Sequence, residues 1–238
     1  MPIVRPLTLL APIALALAGC MTSSGGGDAP LSSEYLGRYA ETSPTPASFI
    51  ECHGFGCAER SRVSLSAAEW AKVKAPLVSP AHDARTERAR IARAVAVMQG
   101  IVGVKTGTGV HQWTHKDMMI LPNLGDPTQR DCIDEAVNTW TTMTMMERAG
   151  LLRFHTVAEL GYAGLPTDTN PRNTAVLREK ASGALYAVDA SLTDGGEPPY
   201  VMPLTVWAGD WPPKLAEIEN AGRPAKPDRA PKTAALAR

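Results

Sequence analysis

The chain has 238 residues, with 24 basic and 24 acidic side chains and a formal net charge of zero. Balanced charge excludes the basic excess of a dedicated nucleic-acid binder, and a hydrophobic content of 44% excludes wholesale disorder. Twenty prolines and twenty glycines beside 5% aromatics predict one loop-rich domain with flexible ends.

Residues 1–19 carry a single early charge, Arg5, then an apolar run from Leu7 to Ala18, and end in Leu17-Ala18-Gly19 ahead of Cys20. The pattern is that of a secretory signal peptide, too short in its apolar part to span a bilayer as a mature helix. Its ending resembles the bacterial lipobox, which implies that Cys20 is acylated and becomes the new N-terminus. Several acyl chains on one residue anchor a protein stably. Met21, in place of the Asp that retains such proteins at the inner membrane, implies an outer-membrane lipoprotein facing the periplasm. Residues 20–47, rich in Ser, Gly, Thr and Pro, read as a flexible tether, and residues 48–211 as the folded domain. Residues 212–238, with five prolines and six basic against three acidic side chains, read as a solvated tail.

Within the domain, Ser66 and Glu69 form a capping-box pattern that predicts a helix to about Val78, ahead of Pro80. A longer helix is expected over Ala81 to Val102, because Ile91, Val95, Met98 and Val102 recur on one face while Arg85, Glu87, Arg88, Arg90 and Arg93 occupy others. Gly103 to Pro127 reads as irregular. Its segment Gly103–Gly109 lacks a full phosphate-loop pattern, and His111 and His115 stand four apart without an acidic third partner. No cofactor or metal is therefore expected.

A third helix is predicted from Cys132, with Thr128 and Asp131 as candidate caps, to Gly150, with Cys132, Ala136, Trp140 and Met143 as its inward stripe. Leu152–Leu160, Asn173–Glu179 and Leu185–Ser191 then read as strands, the last two joined by the hairpin turn Lys180-Ala181-Ser182-Gly183. The predicted class is α+β.

If Cys20 is lipidated, three cysteines remain. Cys52-His53-Gly54-Phe55-Gly56-Cys57 is a tight loop in which a Cys52–Cys57 disulfide is expected, with a metal loop including His53 as the alternative. Cys132 is then unpaired. It is either a small buried hydrophobe or, at a helix N-terminus, a nucleophile whose thiolate is favoured by the macrodipole.

The hexapeptide Asp131-Cys132-Ile133-Asp134-Glu135-Ala136 opening a helix, followed by strands ending in Tyr186-Ala187-Val188-Asp189, resembles bacterial transglutaminase-like cysteine proteinases, whose motif is Asp-Cys-Glu-Asp-x-Ala. The resemblance spans roughly residues 128–191. It implies a transglutaminase-like, papain-like fold in which Cys132 matches the nucleophile and Asp189 the orienting carboxylate, with Asp131 and Asp134 supporting the helix start. The family's histidine is missing. A four-residue hairpin loop sets Thr174 opposite Asp189, with Arg172 diagonal to it, and neither is an imidazole. A thiol without that base lacks its proton acceptor and donor.

Three functions follow as expectations. The first is a catalytically degraded envelope lipoprotein. The second is an active cysteine hydrolase or acyltransferase that uses His155, in the strand after the Cys helix, with Cys132 and Asp189. The third is a scaffold that holds an envelope peptide or protein partner without chemistry.

Overall fold

The computed structural model describes residues 38–108, 126–164, 172–193, 195–209 and 214–220. The signal segment, Cys20, His111, His115 and the chain's last residues lie outside them.

The domain is mixed helix and sheet. It opens with an antiparallel ribbon, β1 (Phe49–His53) and β2 (Glu59–Val63), then three helices: α1 (Ala67–Val78), α2 (Ala84–Thr106) and α3 (Cys132–Arg148). An antiparallel sheet follows, built from β3 (His155–Val157), β4 (Gly161–Ala163), β5 (Arg172–Glu179), β6 (Leu185–Asp189) and β7 (Tyr200–Pro203), and a short helix α4 (Leu204–Ala208) returns onto it. The sheet order is β3-β5-β6-β7, with β4 also pairing β5.

Local chemistry sets the helix ends. Ser66 Oγ accepts from the Glu69 N–H while the Glu69 carboxylate accepts from the Ser66 N–H, a closed capping box. Asp83, two residues past the expected Ala81 start, caps α2 by accepting from the Thr86 N–H at 2.7 Å. The helix runs through Gly103 to Thr106 and stops at Gly107, whose φ of +77° suits glycine. The expected end at Val102 is therefore four residues short. Gly103 is buried in the helix rather than opening a loop.

The helix α3 ends at the left-handed Gly150, as its pattern predicts. Its expected single inward stripe is too narrow. Asn138, Thr139, Thr141, Thr142 and Thr144 are buried as well as Ala136 and Met143, because α3 packs β5 on one side and β1 and α2 on others.

The β5–β6 hairpin has Ala175 opposite Val188 and Arg178 opposite Leu185, the register of a four-residue loop. Side chains alternate across β5. Ala175 and Leu177, with Tyr186 and Val188 of β6, face the helices and join the main core with Ala136, Val137 and Met143. Ala187 and Met202 face the other way and pack with Trp207 of α4 and Ile218.

Two expectations on the sheet need correction. Leu152–Leu160 is not one strand: only His155–Val157 pairs with β5 there, and a second short strand, β4, pairs with its beginning. Residues 214–220 are not a solvated tail either. After a 3-10 turn over Leu215–Glu217, Ile218 is buried, the Glu219 N–H donates to the Val201 carbonyl at 2.8 Å, and Asn220 Oδ1 accepts from the Val201 N–H at 3.0 Å, so the end of the segment is bonded to β7.

Among the described residues, no helix is long and apolar enough to cross a membrane.

Candidate functional site

Cys132 is the first residue of α3, at the end of the domain where β5 begins. Asp131 caps the helix: its Oδ1 accepts from the Ile133 and Asp134 N–H groups, both at 3.0 Å. Asp134 returns the bond, its Oδ2 accepting from the Asp131 N–H at 3.0 Å.

The same two carboxylates hold the cysteine loop. A disulfide joins Cys52 and Cys57. The four residues between Cys52-His53 and Ala58 all have left-handed backbones, with φ of 77° at Gly54, 69° at Phe55, 63° at Gly56 and 57° at Cys57. Two are not glycine, so the turn is a strained one that outside contacts must hold. Successive left-handed residues aim their N–H groups toward one side, where an anion fits. Here Phe55 and Cys57 donate to Asp134 at 3.1 and 2.7 Å, and Gly56 donates to Asp131 at 3.0 Å. Asn138 ties the other end of the loop to the same helix, with Oδ1 accepting from the Cys52 N–H and Nδ2 donating to the Cys52 carbonyl, both at 2.8 Å. Burial and the charge of Asp131 push the Asp134 carboxyl up from its ordinary value. His53, the candidate metal ligand of this loop, is instead engaged with the Pro127 carbonyl and with Ser61 Oγ.

Cys132 itself is buried and unpaired. Asn173 Nδ2 donates to its Sγ at 3.6 Å. Burial, then the charge of Asp131, pushes the thiol up to about 11. Burial favours the other reading of Cys132, a small buried hydrophobe, over the thiolate. The field of the helix end is answered by the Asp131 cap, whose charge opposes a second anion.

The three residues expected to act together do not form a bonded triad: the charge of Asp189 reaches Cys132 and helps to push its thiol up, but the Asp189 oxygens are engaged elsewhere and His155 is remote. Cys132 meets Asn173, on the face of β5 that carries Ala175 and Leu177. Asp189 follows Val188 onto the opposite face, where its Oδ2 accepts from Trp207 Nε1 at 2.6 Å and its Oδ1 from the Ser191 hydroxyl and N–H at 2.6 and 2.9 Å. Burial pushes the Asp189 carboxyl up against those bonds. Arg172 shares that face, and its Nη2 donates to the Trp207 and Gly209 carbonyls at 2.9 and 3.0 Å. The residue of β5 that faces the thiol is therefore Asn173, not Arg172 or Thr174.

His155 stands at the far end of β5. It pairs with Glu179, six residues beyond Asn173, which at about 3.3 Å per strand residue is about 20 Å along the sheet. Its ring is fully buried and both nitrogens are engaged, Nδ1 with Glu87 at 2.8 Å and Nε2 with Arg88 Nη1 at 3.1 Å. Arginine only donates, so Nε2 accepts from Arg88 and Nδ1 donates to Glu87. Glu87 also accepts from the N–H groups of Arg153, Phe154 and His155. Burial opposes its charge, but the bonds from His155 and from that backbone outweigh it and hold the carboxyl below its ordinary value. Arg88 completes the cluster with Glu179 at 2.9 Å, Glu219 at 2.8 Å and its guanidinium 3.6 Å from the Tyr186 ring centre. This cluster locks α2 to both sheet edges and leaves His155 no free lone pair.

A second buried set was also missed in the sequence. Arg130 lies between Glu51 at 3.2 Å and Glu135 at 3.0 Å, and Gln99 Nε2 donates to Glu135 at 2.8 Å. Burial pushes the Glu51 carboxyl up to about 7, against the pull of Arg130.

Comparison with family models, curated proteins and solved structures finds no match to this chain.

Proposed function

We propose that this protein is a lipid-anchored cell-envelope protein, held at the outer membrane through Cys20, whose domain descends from the transglutaminase-like, papain-like fold and works by binding rather than by covalent catalysis. The observation that carries this reading is the pairing of Cys132 with Asn173: a buried thiol, pushed up to about 11 beside Asp131, meets a carboxamide that neither takes nor gives a proton near neutral pH. The use of His155 as an alternative base is not carried forward, because Glu87 and Arg88 hold it at the far end of β5. Partners of the domain are envelope peptides or proteins, and nucleic acid is disfavoured by the balanced charge.

Two substitutions test the two halves of the proposal. In cells fed labelled palmitate, Cys20→Ala is expected to abolish labelling and release the protein from the membrane fraction. Cys132→Ala is expected to leave the fold and the cellular phenotype of the protein intact. Loss of that phenotype by a folded Cys132→Ala protein contradicts the binding reading.

A further inference from the structure

The sheet face turned away from Cys132 carries a pocket of about 420 Å³, within the size range of small-ligand sites. Val176 and Leu185 of the hairpin form its apolar floor, Leu204 and Ala208 of α4 one wall, and the chain from Val157 to Tyr162 the other. That second wall is drawn in close. A Cβ at Gly161 would lie 3.0 Å from Thr174 Cγ2 and 3.1 Å from Val176 Cγ2, so only glycine lets the backbone pass there without displacing them.

Two side chains of opposite charge, Glu159 and Arg178, line the same pocket, and both are exposed. Arg178 Nη1 makes a single long bond, 3.5 Å, to the Gly183 carbonyl. Among the described residues Glu159 has no salt bridge or side-chain hydrogen bond. Among the described residues neither charge is paired in a salt bridge. Arg178 stands opposite Thr156, and Glu159 lies three residues further along that chain, which corresponds to about 10 Å at the rise of an extended strand. Three residues of an extended peptide cover about the same length.

An apolar floor between such an acid and such a base is complementary to a zwitterion with an aliphatic middle. We propose that this pocket binds short peptides of about two or three residues with free ends, the ammonium on Glu159, the carboxylate on Arg178 and an aliphatic side chain against Val176, Leu185 and Leu204. The proposal deepens the binding reading above by naming its ligand class and its location.

The test is titration calorimetry of the purified, detergent-solubilised full chain with the tripeptide Ala-Leu-Ala. Saturable binding is expected, weakened about tenfold or more by Arg178→Ala, by Glu159→Gln and by capping both ends of the peptide. Leu204→Trp, which fills the pocket, is expected to abolish it, with circular dichroism confirming that each variant is folded. Absence of saturable binding at millimolar peptide overturns the proposal. So does equal binding of the capped peptide, equal binding by Leu204→Trp, or tighter binding of octanoate, which would mark an acyl-chain site. Cys132→Ala is expected to bind Ala-Leu-Ala like the parent. Peptide cleavage that Cys132→Ala abolishes would instead overturn the non-catalytic reading while leaving the pocket assignment standing.

Discussion

Asn173 Nδ2 lies 3.6 Å from Cys132 Sγ, where a cysteine hydrolase needs an imidazole. The amide can orient the thiol but cannot accept its proton. Asn173→His would place an imidazole against the sulfur, and it is expected to raise the alkylation rate of Cys132 at pH 7 by about tenfold or more. Peptidase activity is not expected to appear with it, because Asp189 is on the other face of the sheet with Trp207 and Ser191. Mass spectrometry of the alkylated protein against pH checks the first expectation.

His155 is a structural residue on this account. His155→Phe removes its bonds to Glu87 and Arg88 in a fully buried cluster, at a cost of about 1–3 kcal/mol. Urea unfolding should show that loss, while Cys132 in the folded variant alkylates as in the parent. A change in thiol reactivity without a change in stability would instead join the two residues functionally.

Reduction of the Cys52–Cys57 bridge should loosen the loop that delivers three N–H groups to Asp131 and Asp134. The bridge closes only a short segment, so the expected stability loss is about 2 kcal/mol. Cys52→Ser with Cys57→Ser should match the reduced protein. Amide exchange at Ile133 and Asp134 should also quicken, since their N–H groups are capped by the carboxylate that the loop holds.

Glu51 gives a pH dependence with a definite sign. Its carboxyl rises from an ordinary 4.5 to about 7 because it is buried, so between those values the folded chain keeps a proton that the unfolded chain releases. Its contribution to stability is therefore fully present below about pH 4.5 and declines as pH rises to 7, by on the order of 3 kcal/mol. Asp134, also pushed up, acts in the same direction. Glu51→Gln should flatten the part of the slope that belongs to Glu51. Unfolding free energies of parent and variant across this range measure it.

Features written in short stretches of sequence were legible. Ser66 with Glu69, Asp131 with Asp134, Gly150 and the β5–β6 register each depend on residues within a few positions of one another. The face of β5 that meets α3 depends on long-range packing, and a one-residue offset exchanges Thr174 for Asn173. The partners of Asp189, Trp207 and Ser191, are set in the same way by packing on the far side of the sheet. The Glu87–His155 bond joins residues 68 apart, which no local pattern records. One signal was present: Glu87 stands four residues before Ile91 and so extends the buried stripe of Ile91, Val95, Met98 and Val102. A carboxylate on an apolar stripe marks a buried polar contact. The strands β4 and β7 and the helix α4 are too short to carry a readable period.

The most direct measurement is the rate of iodoacetamide alkylation of Cys132 in the folded, disulfide-intact protein, followed by intact mass from pH 6 to 11. A thiol buried beside Asp131 and bonded to Asn173 should react slowly, with a rate that is still rising above pH 9 toward a midpoint near 11. A midpoint below about pH 7 in the folded protein would mean a stabilised thiolate. That result would contradict the non-catalytic account.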